Sequence, residues 1–174
     1  MKKSQIIIFL FTCALTASAI IIYKKSPTLT VPIIASTTER EVVYADPYAT
    51  FKMLTGENKD DVLVVDMRSS KDYERNRFKN TVNVFFPYEK DREKEEAFIK
   101  AVEKEAKKHK QIVLLPYSGM STTGEDAAAI LLEAGIENVA IMKTGWNELY
   151  SLPNMWIPEE EGGDFSLTKL LENL

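Results

Sequence analysis

The stretch Val62-Leu63-Val64-Val65-Asp66-Met67-Arg68 places a short apolar run rich in β-branched residues directly before an acidic and a basic side chain. Polar residues bound the run on both sides, a pattern typical of a strand buried on both faces of a parallel sheet. Similar apolar runs recur at Ile112-Val113-Leu114-Leu115 and at Val139-Ala140-Ile141-Met142. We therefore predict buried parallel strands at the centre of the fold.

Helical patterns separate these runs. In residues 91–108, small and apolar side chains recur every three or four positions between charged ones, which predicts an amphipathic helix. The pair Asp46-Pro47 is a good N-cap and first helical residue, so it predicts a helix over residues 47–54. Residues 42–44 and 82–86 are two further strand candidates. Strands alternating with helices favour an α/β domain around a central parallel sheet.

The segment that follows the second apolar run begins with the loop 115–122 and continues as a predicted helix. Thr122 and Glu125 have the spacing of a capping box, in which each side chain bonds a free backbone amide. Gly135 is the expected left-handed residue at the end of this helix.

The N-terminus predicts a membrane anchor. Residues 5–23 carry no charge and stand between two pairs of lysines. At about 1.5 Å per residue, this run nearly matches the roughly 30 Å hydrocarbon core. The alternative is a secretory signal cleaved after Ala17-Ser18-Ala19, but the apolar run continues for three isoleucines beyond it and is long for a signal. We expect a single-pass protein of a bacterial inner membrane, N-in and C-out with the domain in the periplasm; after cleavage it would be secreted or periplasmic.

Four regions follow from these patterns: an anchor at 1–25, a linker at 26–41, the α/β domain at 42–152 and an acidic extension at 153–174. In the extension, five apolar residues predict a short amphipathic helix that packs on the domain. They are Phe165, Leu167, Leu170, Leu171 and Leu174.

Composition excludes several classes of partner and cofactor. Removing the four lysines of the anchor from 22 basic residues leaves 18 against 26 acidic ones, a formal charge of −8 for residues 26–174. Such a balance argues against nucleic acid and anionic lipid. The chain has one cysteine, Cys13, and one histidine, His109, which cannot supply a zinc site. We predict no metal and no cofactor.

At this point the chain resembles the rhodanese-like family over residues 42–152, because five pieces similar to the family's motifs occur in the family's order. They are Asp66-Met67-Arg68, the acidic-aromatic pair Asp72-Tyr73, the segment Thr81-Val82-Asn83-Val84, a Ser118-Gly119 loop before a helix that ends at Gly135, and a final motif that runs from Val139 to Lys143-Thr144-Gly145-Trp146. The resemblance implies a three-layer domain with a central parallel sheet flanked by helices, here after one transmembrane helix.

The departures from the family pattern fall in its functional loop. Active members have C-R-x-G-x-[RS], and the cysteine takes up a sulfane sulfur as a persulfide. Aligned on Ser118-Gly119, the cysteine position is Pro116 and the following arginine position is Tyr117. The last position, where the family has arginine or serine, is Ser121, so this chain has no basic residue there either. A thiolate is the nucleophile, and cationic neighbours together with backbone amides at a helix start maintain it. The resemblance therefore implies a domain without sulfurtransferase activity and without catalytic residues.

A serine in the same loop is a weak substitute. Ser118 or Ser121 would need a base within hydrogen-bond reach, and His109 stands between two lysines at the end of a predicted helix. We interpret both serines as caps at the helix start.

We expect a protein- or ligand-binding module whose candidate site is the remnant loop. The loop residues are Tyr117, Ser118, Gly119, Met120, Ser121 and Thr122. We predict that Asp66 and Arg68 form a structural ion pair. We expect Trp146 to be a core or cover residue. Two alternatives remain. One is a sulfurtransferase-like protein that uses the thiol of a partner. The other is a periplasmic small-solute-binding protein, whose solute would not be an anion because Glu125 and Asp126 at the helix start would repel it.

Overall fold

The computed structural model describes residues 33–34, 42–161 and 165–173. The predicted membrane anchor lies outside these residues, as does most of the linker. Within the described part of the chain, no helix has both the length and the apolar character that a bilayer crossing requires.

A six-stranded sheet forms the centre of the domain. Its strands are β1 (Ile33–Ile34), β2 (Tyr44–Ala45), β3 (Val62–Asp66), β5 (Thr81–Asn83), β6 (Gln111–Leu115) and β7 (Val139–Met142). Their order across the sheet is β1-β2-β7-β6-β3-β5. β1 is antiparallel to β2, and every other pairing in this sheet is parallel. A second, antiparallel pair consists of β4 (Asn76–Phe78) and β8 (Leu171–Asn173).

Helices cover both faces of the sheet. They are α1 (Pro47–Thr55), α2 (Ser70–Arg75), α3 (Arg92–Ala106), α4 (Thr123–Glu133), α5 (Trp146–Ser151) and α6 (Leu167–Leu170). Alternate residues of β3 belong to different cores: Val64 packs with α1 and α5, whereas Val65 packs with α3 and α4. Because all five residues of β3 are buried, the strand has the two-sided burial expected of a parallel sheet. The predicted α/β architecture with flanking helices is thus confirmed.

Two of the predicted strands have different bounds. The strand expected at 42–44 lies at Tyr44–Ala45, and the one expected at 82–86 is Thr81–Asn83. Beyond Asn83 the amides of Val84 and Phe86 bond the carbonyls of Asp66 and Met67. Residues 84–86 therefore bond the chain at and just after the end of β3, outside the regular hydrogen-bond ladder of the two strands.

The capping box predicted at Thr122 and Glu125 is wrong. Thr122 is the residue before α4, but its side chain caps no amide; its hydroxyl donates to Asp126, 3.2 Å away. Glu125 instead accepts a 2.7 Å hydrogen bond from the Tyr44 hydroxyl of β2, which raises the pKa of that tyrosine. A tertiary contact has replaced the local one. The other end of α4 is as predicted, with Gly135 at a φ of 80°.

The predicted C-terminal amphipathic helix is also wrong in extent. α6 has four residues, and the chain then extends as β8 beside β4, with Leu171 opposite Phe78. Pairing with this otherwise open edge satisfies backbone groups that a longer helix would leave unpaired on β4. Phe165 and Leu170 are nevertheless buried against the domain.

Candidate functional site

The loop 116–122 follows β6 at the carboxyl edge of the sheet. Asp66 and Leu115, the last residues of β3 and β6, are in register, so the segments that leave both strands meet at this edge. Ligand sites of open parallel sheets form at this edge. The edge is therefore where a functional site is expected from topology alone.

Backbone hydrogen bonds tie this loop to the start of α5. The Trp146 amide donates to the Pro116 carbonyl and the Asn147 amide donates to the Tyr117 carbonyl, both at 2.9 Å. These bonds satisfy two of the free amides that every helix start presents. The first loop residues consequently have a fixed position relative to α5.

The carboxylate of Glu148 is hydrogen-bonded to the loop. It accepts hydrogen bonds from the Ser118 hydroxyl at 2.6 Å, from the Gly119 amide at 3.2 Å and from the Gly145 amide at 3.1 Å. The bond to Gly145 is the half of a capping box in which a glutamate in the first turn reaches back to the N-cap amide. The bonds to Ser118 and Gly119 extend that local cap into a contact between two loops.

These bonds shift the ionisation of Glu148. Burial alone would raise its pKa, but the hydrogen bonds from Ser118 and from the backbone amides outweigh it, and the pKa lies below its ordinary value. Glu148 is therefore a carboxylate at neutral pH. The loop already holds an anion, and the protein itself supplies it.

Close backbone contact explains why Gly145 faces this loop. A Cβ at Gly145 would lie 2.3 Å from the Cα of Ser118, and one at Gly119 would lie 2.9 Å from the Lys143 carbonyl oxygen. No side chain fits at these separations. The two glycines allow the loop after β6 and the loop after β7 to touch.

Arg68 follows β3 at the same edge of the sheet, and its guanidinium has several partners within the domain. Its guanidinium makes a bidentate pair with Asp66, with distances of 2.9 Å to Oδ1 and 2.7 Å to Oδ2, and donates to the Asn76 carbonyl at 2.8 Å. The guanidinium carbon is 3.5 Å from the Trp146 ring centroid. Arg68 and Asp66 are both almost completely buried. The arginine is thus occupied by internal partners.

A family model of the rhodanese-like domain matches residues 51–152. The chain belongs to the rhodanese-like family. No curated protein matches it.

Three solved structures resemble the chain at low identity. A full-length protein from Lactobacillus plantarum is 15% identical, with a TM-score of 0.50 over 75% of this chain and 88% of that one. The rhodanese-like domain of an Anabaena protein is 15% identical, with a TM-score of 0.46 over 60% and 70% of the two chains. A single-domain sulfurtransferase of Saccharomyces cerevisiae is 19% identical, with a TM-score of 0.45 over 64% and 91%. At these identities the likeness concerns the fold.

In this rhodanese-like domain, Pro116 stands directly after β6, where the motif alignment places the family's cysteine. Pro116 is buried, and it has neither a nucleophilic atom nor an amide hydrogen. The loop from Pro116 to Thr122 contains no lysine, arginine or histidine. Both parts of the family's thiolate site, the sulfur and its cationic neighbours, are therefore missing from the loop.

The structure separates the loop serines from the histidine. His109 precedes β6, with Nδ1 2.9 Å from the Asp60 carbonyl, whereas Ser118 and Ser121 follow that strand. The five residues of β6 lie between His109 and these serines and span roughly 16 Å, so the histidine is out of hydrogen-bond reach of both. The base within reach of Ser118 is Glu148, whose lowered pKa makes it a poor proton acceptor. Ser121 donates to the Ser118 carbonyl at 2.9 Å, so it stabilises the loop.

The outer side of the loop carries exposed apolar side chains. Met120 is 91% exposed and Tyr117 is 48% exposed. Tyr88 comes from the segment after β5 and is 68% exposed. It lines a groove together with Asp126, which accepts a hydrogen bond from Thr122 of the loop. Partial burial raises the pKa of the Tyr88 hydroxyl, and Asp72 and Tyr117 act in the same direction. The ring of Phe85 lies 6.0 Å from that of Tyr88 in an edge-to-face arrangement. We call these four residues the aromatic rim.

Sequence reasoning missed Glu148 and Tyr88. Glu148 is three residues after Gly145, the spacing of an N-cap and its glutamate, and this signal could have located its bond to Gly145. Its bonds to Ser118 and Gly119 join positions about thirty residues apart, which no local pattern reveals. Among the described residues, no group of three or more His, Cys, Asp or Glu could hold a metal ion.

Proposed function

We propose that this chain is a catalytically inactive rhodanese-like domain, anchored to a membrane by residues 5–23, that binds a protein partner or ligand through the surface around loop 116–122. The observation that carries the proposal is the internal carboxylate of Glu148, bonded to Ser118 and Gly119 of the loop. In an active site of this type, loop donors would face an incoming anionic sulfur donor. Here the Glu148 carboxylate already accepts the hydrogen bonds of the loop, and its negative charge would repel an anionic sulfur compound.

The substituted chemistry supports the same proposal. Pro116 supplies no nucleophile, and Arg68 has its donors committed to Asp66 and Asn76. The exposed side chains at this edge include the aromatic rim. Aromatic and methionine side chains are enriched in protein interfaces, where they give large contact area or adapt to a partner. The available chemistry favours binding over sulfur transfer.

The uncharged N-terminal run supports membrane attachment, and the orientation that we propose places the domain in the periplasm. Nineteen uncharged residues flanked by lysines suit a single span. A membrane anchor would confine the aromatic rim to partners at the same surface.

The first test is sulfur transfer from thiosulfate to cyanide, and to a small thiol, by the purified full-length protein. We expect no transfer above a protein-free control, measured beside an active rhodanese. Transfer clearly above that control would contradict the proposal.

The second test addresses binding directly. A photo-crosslinking amino acid at Tyr117 or Met120, in intact membranes, should give a specific adduct. The matched control position is Lys108, which is exposed at the opposite end of β6. A Met120→Glu substitution should abolish the adduct formed from position 117. Equal adducts from positions 108 and 117 would contradict a binding role for this edge.

A further inference from the structure

A groove of about 250 Å³ lies beside the aromatic rim, between the segment after β5 and helices α3 and α4. Part of its lining is apolar. Phe86 and Pro87 are buried, and Ala129 and Ile130 on α4 are half-buried. A concave surface with an apolar lining can accept a side chain from a partner, because its apolar area leaves water on binding.

The remainder of the groove is strongly acidic. Glu89, Glu95, Asp126 and Glu133 all line it, and Lys90 is the one basic residue among them. Within the part of the chain that the structure describes, none of these four carboxylates forms an ion pair. Four negative charges against one positive charge therefore face whatever enters.

The rim and the groove share Tyr88. This ring lines one end of the groove and is largely exposed, with Phe85 edge-on beside it. The face of an aromatic ring attracts lysine and arginine side chains. Aromatic faces, carboxylates and an apolar lining are thus contiguous, and all three suit a partner that is both basic and amphipathic.

We propose that this groove docks a basic amphipathic segment of a protein partner, with an apolar side chain against Ile130 and lysine or arginine side chains on the carboxylates. The inference rests on the proposed binding function and names the chemistry of the partner. Charge complementarity carries it: like charges would repel an acidic peptide, a nucleic acid or an anionic lipid surface. An amphipathic helix lying in such a groove is a recurring mode of recognition.

The test uses the full-length protein in neutral detergent and a fluorescent 14-residue peptide of lysine and leucine with helical spacing. A second peptide with glutamate in place of lysine is its control. We expect saturable binding of the lysine peptide by fluorescence anisotropy, weakened by salt, and no binding of the glutamate peptide. Glu133→Lys should weaken binding about fivefold, because attraction becomes repulsion at one contact.

Two further variants separate the groove from the net charge of the protein. Glu160→Lys makes the same change of charge at an exposed site outside the groove, and binding should stay within about twofold, since distant surface charges are screened. Ala129→Gln adds bulk to the lining without a charge and should also weaken binding. Glu133 and Ala129 both lie on α4, and lysine and glutamine are good helix formers, so the two α4 variants should fold.

Three outcomes would overturn the inference. Equal losses from Glu133→Lys and Glu160→Lys would mean general attraction to an acidic protein. Unchanged binding by Ala129→Gln would place the contact elsewhere. Absence of saturable binding, together with no sulfur transfer and a specific adduct at position 117, would refute the groove while leaving the proposed function intact.

Discussion

The guanidinium carbon of Arg68 lies 3.5 Å from the ring centroid of Trp146, so the end of β3 is joined to the first residue of α5. Asp66 holds the same guanidinium by two hydrogen bonds. The charged pair, the ring and the Asn76 carbonyl together form a fully partnered buried cluster. Arg68 is therefore a structural element of the carboxyl edge.

We predict that Arg68→Leu destabilises the domain by about 3–5 kcal/mol, because it leaves the Asp66 carboxylate buried without its partner. Chemical unfolding followed by tryptophan fluorescence measures the change. Arg68→Lys should cost less, since it keeps the charge but loses the bidentate geometry. The matched control is Arg92→Leu: Arg92 is exposed and pairs with Glu96 along one helix face, so its loss should leave the unfolding midpoint unchanged. Equal effects at Arg68 and Arg92 would refute the structural role.

The Glu148 carboxylate should stabilise the loop in a pH-dependent way. Its pKa in the folded state lies below the ordinary 4.5, so its contribution is complete above the unfolded value and is lost as the pH falls through the folded one. At pH 7, Glu148→Gln should cost about 1 kcal/mol, at the low end for hydrogen bonds to a charged group because the site is half-buried. The difference from the wild type should stay constant above about pH 5 and shrink below it.

Unfolding curves of both proteins from pH 7 to pH 3 check this prediction. Glu160→Gln, at an exposed position, controls for the loss of one carboxylate from the surface. A difference between wild type and Glu148→Gln that grew as the pH fell would show the opposite sign and would exclude the bonding that we describe.

The buried strands could be predicted from the sequence because runs such as Val62–Asp66 are long enough to show two-sided burial without any neighbour. Gly135 could be predicted because a positive φ is a local property of the chain. Glu125 misled the prediction: its spacing from Thr122 suits a cap, but Tyr44, 81 residues away, offers a stronger partner. Tertiary contacts of this kind override local pattern.

The same limit applies to the candidate site. The absence of a nucleophile at Pro116 follows from the sequence and the family motif alone. The bonding of a carboxylate to the loop depends on how closely the loops after β6 and β7 approach, and therefore on Gly145. The sequence predicts where the loop lies, but not that the Glu148 carboxylate accepts the hydrogen bonds of Ser118 and Gly119.

Gly145→Ala should disrupt that approach. The new Cβ would lie 2.3 Å from backbone atoms of Ser118, so the loop or α5 must move. We expect a loss of about 2 kcal/mol, typical of overpacking, and faster hydrogen exchange at the Trp146 amide, which bonds the Pro116 carbonyl. Gly135→Ala is the control: it has open space but a positive φ, so it should cost about 1 kcal/mol and leave exchange at Trp146 unchanged. Unaltered exchange in Gly145→Ala would contradict the contact.

Pro116→Cys restores the missing sulfur and should still give no efficient sulfur transfer. The new thiol would stand in a loop without a cation, where Glu148 already bonds the Ser118 hydroxyl and the Gly119 amide. Because the loop supplies no positive charge, we expect the thiol pKa to stay high and little thiolate to form at neutral pH. Thiosulfate turnover should remain near background, and mass spectrometry should show no added sulfur atom. The triple variant Pro116→Cys, Tyr117→Arg, Glu148→Gln removes the competing carboxylate and supplies a cation, so it should acquire that sulfur. Rapid turnover by Pro116→Cys alone would mean that this loop still binds an anionic donor, and the inactivity that we propose would then depend on one residue instead of on the whole site.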